Sequence, residues 1–152
     1  MENQIRFVHT NLIAEDWQSL ADFYEEILGC QPVPSERDFR GEALERGTGL
    51  EGAHLQGVHL RLPGYADNGP TLEIFSYAPG MERCQTAVNR PGFGHIAFQV
   101  DDVESLQEQV IKAGGQAVGE IVTMQIATGD RVTWCYVTDP EGNLIELQSW
   151  EK

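Results

Sequence analysis

The chain is short of positive charge: ten Lys and Arg stand against 24 Asp and Glu, for a formal net charge of -14 over 152 residues. Such an excess of acids repels phosphate backbones, so neither a nucleic acid nor an anionic membrane surface is expected as a partner. A cation is not excluded by it. Cysteine is scarce too. Cys30, Cys84 and Cys135 are odd in number and form no CxxC pair, which argues against a disulfide framework and against a structural zinc knot. No run approaches the roughly 18–20 apolar residues of a membrane span. The opening Met1-Glu2-Asn3-Gln4 lacks a basic stretch leading into an apolar one, so no secretory signal is expected and the cytoplasm is the expected location. What remains is ordinary for a globular protein: 41% hydrophobic, 22% charged and 9% aromatic residues. The length suits one compact domain, or two small halves packed as one.

The halves can be read directly. Ile5–Ile13 (IRFVHTNLI) favours a strand, with Ile5, Phe7, His9, Asn11 and Ile13 on one face. Glu15-Asp16 offers a helix start, Trp17, Leu20, Tyr24, Ile27 and Leu28 follow at helical spacing, and Gly29 supplies a stop. The same order recurs later. Gly92–Val100 (GFGHIAFQV) reads as a strand and Asp101-Asp102 as a helix start. Val103, Leu106, Val110 and Ala113 then form the apolar side, and Gly114-Gly115 end the helix. Strands are expected near Gln31–Val33 and over Leu55–Leu62 and Thr71–Tyr77 in the first half, and over Ala117–Ile126, Arg131–Thr138 and Asn143–Trp150 in the second. Asp139–Asn143 (DPEGN) has the composition of a tight turn. The internal repeat therefore predicts an α+β fold of two tandem βαβββ modules, at 1–77 and 92–152, joined by a linker at 78–91. Pro34–Ala53, charged and Gly-rich, reads as a loop insertion with no counterpart in the second half.

Period-two alternation places Thr71, Glu73, Phe75 and Tyr77 on one strand face and Leu144, Glu146, Gln148 and Trp150 on another. Glu73 and Glu146 sit mid-strand between apolar neighbours, as Leu-Glu-Ile and Ile-Glu-Leu. A carboxylate there is costly unless it is paired or bound to a metal. His9 and His95 recur at equivalent points of the repeat, 64 and 51 residues ahead of the two glutamates. If the halves pack about a pseudo-twofold axis, the four side chains converge. Two imidazoles and two carboxylates are ligands for one divalent ion: Zn, Ni, Fe, Mn or Co.

With these residues in view, the chain resembles the vicinal oxygen chelate superfamily. That group includes glyoxalase I, methylmalonyl-CoA epimerase, extradiol dioxygenases, fosfomycin-resistance proteins and metal-free bleomycin-binding proteins. The carriers are the first strand with His9, DFYEEILG (Asp22–Gly29), LEIF (Leu72–Phe75), GHIAFQVDD (Gly94–Asp102) and DPEGNLIEL (Asp139–Leu147). The resemblance implies a U-shaped, eight-stranded mixed sheet around a metal-containing cleft, usually in a homodimer. The His/Glu/His/Glu set is most similar to that of glyoxalase I. By that resemblance the chain is a metal-dependent isomerase or lyase moving a proton through a metal-bound enediolate, with Glu146 as main base and Glu73 as second acid/base. The other readings are a metal-dependent epimerase, an extradiol-type dioxygenase, or a metal-free small-molecule-binding or resistance protein. Ile13 and Tyr77 stand where bacterial glyoxalase I has the Arg and Asn that help hold glutathione. Arg61, Arg83, Arg90 and Arg131 are candidate replacements.

Phe75, Trp134, Tyr136 and Trp150 are expected to line the substrate pocket. His59 is expected beside the metal ligands or at the surface, His54 in solvent, Cys135 against a helix, and Cys84 exposed.

Overall fold

A computed structural model describes residues 3–151. Met1, Glu2 and Lys152, the outermost residues of the two expected modules, lie outside the described residues. The chain forms two compact units, Met1–Glu82 and Arg83–Lys152.

The first unit runs β1 (His9–Ile13), α1 (Trp17–Leu28), β2 (Gln31–Arg40), α2 (Glu42–Thr48), β3 (His54–Arg61) and β4 (Thr71–Ala78). Its four-stranded sheet has the order β1-β4-β3-β2. β1 runs parallel to β4, and the other neighbours are antiparallel. The second unit runs β5 (Ile96–Gln99), α3 (Val103–Lys112), β6 (Gln116–Gln125), β7 (Arg131–Thr138) and β8 (Leu144–Glu151), with the order β5-β8-β7-β6 and the same directions. These are the two βαβββ modules that the repeat predicts.

The helix starts are the expected ones. Asp16 caps α1 by accepting from the Ser19 amide at 3.1 Å, and Asp102 caps α3 by accepting from the Ser105 amide at 2.9 Å. Gly29 closes α1 in the left-handed region at φ 70°. Ser76 fixes which face of β4 meets α1, because its hydroxyl donates to the Ala14 carbonyl and accepts from the Trp17 amide. Leu72 and Ile74, on that same face, are fully buried with Leu20 and Tyr24 of α1. Glu73 and Phe75 therefore point away from the helix. In the second unit Cys135 is buried with Gln107 of α3 beside it. Trp134 and Tyr136 accordingly face the other way.

The repeat reaches finer detail than the sequence suggested. β2 and β6 both break register against their neighbours, between Val33 and Arg37 and between Val118 and Val122. A bulge at matching places bends both edge strands alike. Pro34, which has no amide hydrogen to give, lies in the first, and Gly119 at φ 69° lies in the second.

Three expectations need correction. Pro34–Ala53 is not a loop: β2 runs on to Arg40 and α2 occupies Glu42–Thr48, a short helix with no buried residue. The longer first half is explained by two connections. Residues 41–53 join β2 to β3 where 126–130 suffice in the second unit, and 62–70 join β3 to β4 where 139–143 suffice. The strands expected at Ile5–Ile13 and Gly92–Val100 are shorter, beginning at His9 and Ile96. Each is an edge strand paired on one side only, so backbone pairing begins where the partner strand begins. Lastly, His54 is not in solvent. It opens β3, and its Nε2 lies 2.6 Å from Asp38 Oδ1 on β2.

Candidate functional site

In the first unit the chemistry gathers on Glu73, the buried acid of β4, whose side chain keeps 10% exposure. The antiparallel register sets His59 of β3 directly across from it. On the other side the parallel register sets Asn11 of β1 across from it, one strand step from His9. Three side chains reach its carboxylate from these two strands. His9 Nε2 is 2.9 Å from Oε1, Asn11 Nδ2 donates to Oε1 at 3.4 Å, and His59 Nε2 is 2.7 Å from Oε2. The His59 ring meets those of His9 and Phe75 edge-on, with centroids 5.9 and 5.7 Å apart. Its Nδ1 faces the Thr71 hydroxyl at 3.5 Å. Burial pushes His59 below the usual histidine range, against the pull of the Glu73 carboxylate, and Arg37 and His9 add to the depression. A neutral ring with hydrogen on Nε2 satisfies both neighbours: it donates to Glu73 and accepts from Thr71.

The second unit repeats the motif with one change. His95 Nε2 lies 3.0 Å from Glu146 Oε2, with side chains 34% and 20% exposed. Tyr136 of β7 occupies the place across from Glu146 that His59 holds across from Glu73. Its ring tilts against His95 at 5.0 Å and meets Trp134 edge-on at 5.2 Å. Trp134 Nε1 in turn donates to Met124 Sδ at 3.4 Å.

The aromatic walls exchange strands between the units. Gly57 lies across from Phe75, and a Cβ on Gly57 would stand 2.4 Å from the Phe75 ring and 2.1 Å from the Ile74 carbonyl oxygen. The first unit therefore carries Phe75 on β4 across from the bare Gly57 of β3. The second carries Trp134 on β7, with Gln148 across from it on β8. Trp150 is 41% exposed, and its Nε1 donates to Gln148 Oε1 at 2.5 Å. Phe75 is buried.

The sequence-expected residues thus fall into two groups, His9 with Glu73 and Phe75, and His95 with Glu146, Trp134, Tyr136 and Trp150. Among the described residues no set of three or more His, Cys, Asp and Glu is disposed to hold a metal ion by itself. The donor chemistry of each pair still fits a cation. Each pair brings an imidazole nitrogen and a carboxylate oxygen, donor types of divalent-ion sites, within hydrogen-bond distance of one another, at 2.9 and 3.0 Å. Of the candidate arginines, Arg61 stands two residues from His59 on the same face and reaches Asp67 at 3.6 Å. Arg83 pairs with Glu141 at 2.6 Å and Arg131 with Glu151 at 3.9 Å. Two grooves lie away from both pairs. One, of about 590 Å³, separates α1 from the bulge of β2 beside Trp17, Glu25 and Pro34. The other, of about 420 Å³, follows 85–88 and the 138–142 turn. Neither contains a histidine.

Sequence reasoning left His59 beside the metal ligands or at the surface and did not name Glu73 as its partner. The signal was there in parity, since both residues fall on the same face. The register of β3 against β4 was needed to make them neighbours, and the nine-residue connection 62–70 does not fix it.

Comparison with known proteins bears on the fold and the family. The chain is 29% identical over 145 residues to a lactoylglutathione lyase of Neisseria meningitidis serogroup B, covering 94% of this chain and 89% of that protein. It is 27% identical over 144 residues to a probable lactoylglutathione lyase of Vibrio parahaemolyticus, covering 93% and 88%. Among solved structures, a glyoxalase family protein from Bacillus cereus superposes with a TM-score of 0.82 at 25% identity, over 99% of this chain and 97% of that one. The family model of the Glyoxalase/Bleomycin resistance protein/Dioxygenase superfamily matches residues 6–147, and the chain belongs to that superfamily.

Proposed function

We propose that the protein is a divalent-metal-dependent isomerase or lyase of the glyoxalase I type. The observation that carries this reading is the doubled pair, His9 with Glu73 and His95 with Glu146, each with an imidazole Nε2 about 3 Å from a carboxylate oxygen. The relatives named lactoylglutathione lyase support it. His9, Glu73, His95 and Glu146 are the proposed ligands of the ion. When bound there, a divalent ion would supply Lewis-acid chemistry, favouring loss of a proton from a carbon beside a carbonyl. The chain's own groups do the rest. Glu146, held by a single imidazole and one-fifth exposed, takes the proton from one carbon and returns it to the next. Tyr136, packed on His95, and Trp134 beside it would form an apolar wall next to Glu146, and Phe75 forms one beside His59 and Glu73.

The experiment is the conversion of a hemithioacetal, formed from a 2-oxoaldehyde and a thiol, to the hydroxyacyl thioester. Metal-loaded wild type is expected to catalyse it. Glu146→Gln should lower kcat by about 10²- to 10⁴-fold, the range for loss of a general base. Bound metal below about a tenth of an equivalent after reconstitution, measured by elemental analysis, would overturn the reading.

A further inference from the structure

The two His–Glu pairs differ in one respect that the repeat does not require. Glu73 has both carboxylate oxygens engaged, Oε1 by His9 at 2.9 Å and Oε2 by His59 at 2.7 Å. Glu146 is approached by His95 through Oε2 alone among these imidazoles, and the place equivalent to His59 is filled by Tyr136, which packs on His95 instead. His59 is itself held. Its backbone is in register with Glu73, its Nδ1 faces Thr71, and its ring is wedged edge-on between His9 and Phe75. Gly57, across from Phe75, leaves the space in which that ring sits.

We infer that His59 is a positioning residue. It donates from Nε2 to Glu73 Oε2 and so fixes the carboxylate with Oε1 turned, beside His9 Nε2, toward a divalent cation. This inference rests on the reading of His9 and Glu73 as ligands. A carboxylate free to rotate would share its two oxygens between ion and solvent, and part of the binding energy would go to ordering it. One held at Oε2 presents a single oxygen in a single direction. The second unit lacks this restraint at Glu146, which is the carboxylate that must move a proton. The asymmetry therefore separates a fixed ligand from a mobile one.

Cobalt(II) titration of the metal-free full-length chain, followed by visible absorption, tests this. The wild type is expected to bind one equivalent. His59→Phe keeps an aromatic ring against Phe75 but loses the donor, and should weaken cobalt about 10- to 100-fold and alter the absorption bands. His59→Gln, whose amide can reach Oε2, should recover most of the affinity. Unchanged affinity and spectrum in His59→Phe would overturn the role of His59 while leaving the metal site standing. A wild type that takes up no cobalt would overturn both. Ring-nitrogen NMR of the wild type during zinc titration gives a measurement free of any folding defect in the variants. His9 Nε2 should shift as a ligand while His59 keeps its Nε2 hydrogen. A His59 nitrogen that shifts as a ligand would make it part of the coordination sphere and overturn the positioning role.

Discussion

At the scale of single residues, environment divides side chains of the same kind into different chemistry. The three thiols show it plainly. Cys30 lies at 3% exposure beneath α1, and burial, with the Glu25 charge adding to it, pushes its thiol up to about 12. Cys135 is fully buried, and burial raises its thiol as well. Cys84 is exposed. The thiolate is the reactive form, so an Ellman titration of the folded protein near pH 8 should consume one thiol per chain quickly, and all three only after denaturation. Rapid reaction of two or three in the native protein would contradict the burial. The same division separates the carboxylates. Most acids of this chain are solvated charge, whereas Glu73 is buried among imidazoles. That distinction was legible in sequence, because an acid between two apolar strand residues on both copies of a repeat has no reason to be there as a solubilising group. The partner of Glu73 was legible only in part: His9 followed from the repeat, but His59 has no counterpart histidine in the second half to mark it.

Among the elements, α1 is built against its own electrostatics. Asp22 lies at its middle and Glu25 and Glu26 in its second half, and its last turn carries no basic residue to meet the negative end of the helix dipole. Glu25 stands three residues from Asp22 and is held above the usual carboxylate range, by partial burial first and then by Asp22 and Glu26. A carboxylate raised in the folded state loses its proton more readily in the unfolded chain, so it lowers stability once the pH passes its unfolded value. Glu25→Gln should therefore stabilise the protein at pH 7, by about 0.5 kcal/mol per like-charge pair removed and about 1–2 °C in Tm. The gain should vanish near pH 3, where both states of the wild type are protonated. A gain of equal size at pH 3 and pH 7 would show that charge is not its source. The helix itself was legible from its Asp cap, its apolar spacing and its closing glycine. α2 was not: its seven residues include none that is buried, so no apolar stripe announced it. Strand ends were misread for a related reason. An edge strand begins where its neighbour offers hydrogen-bond partners, which is a property of the sheet and not of the residues in the strand.

For the molecule as a whole, metal stoichiometry tests the proposed ligand set. His9 and Glu73 belong to the first compact unit, His95 and Glu146 to the second. A pair alone gives an ion two protein donors, fewer than the three or four that zinc sites generally use. The proposed set of His9, Glu73, His95 and Glu146 supplies four, and its two carboxylates would match the charge of a divalent ion. On that reading, wild type binds one equivalent. His9→Ala and His95→Ala then each weaken that same equivalent, although the substitutions lie in different units. Two independent sites would instead give two equivalents, with each substitution removing only one. Thermal unfolding offers a second view of the same point. An ion at a hundred times its dissociation constant stabilises the folded state by about 2.7 kcal/mol, or about 5–10 °C in a chain of this size. If the proposed four ligands act as one set, that rise should appear as a single sharper transition in calorimetry. It should be lost in either histidine variant and reversed by a chelator. A rise confined to one of two separable transitions would assign the ion to one unit alone.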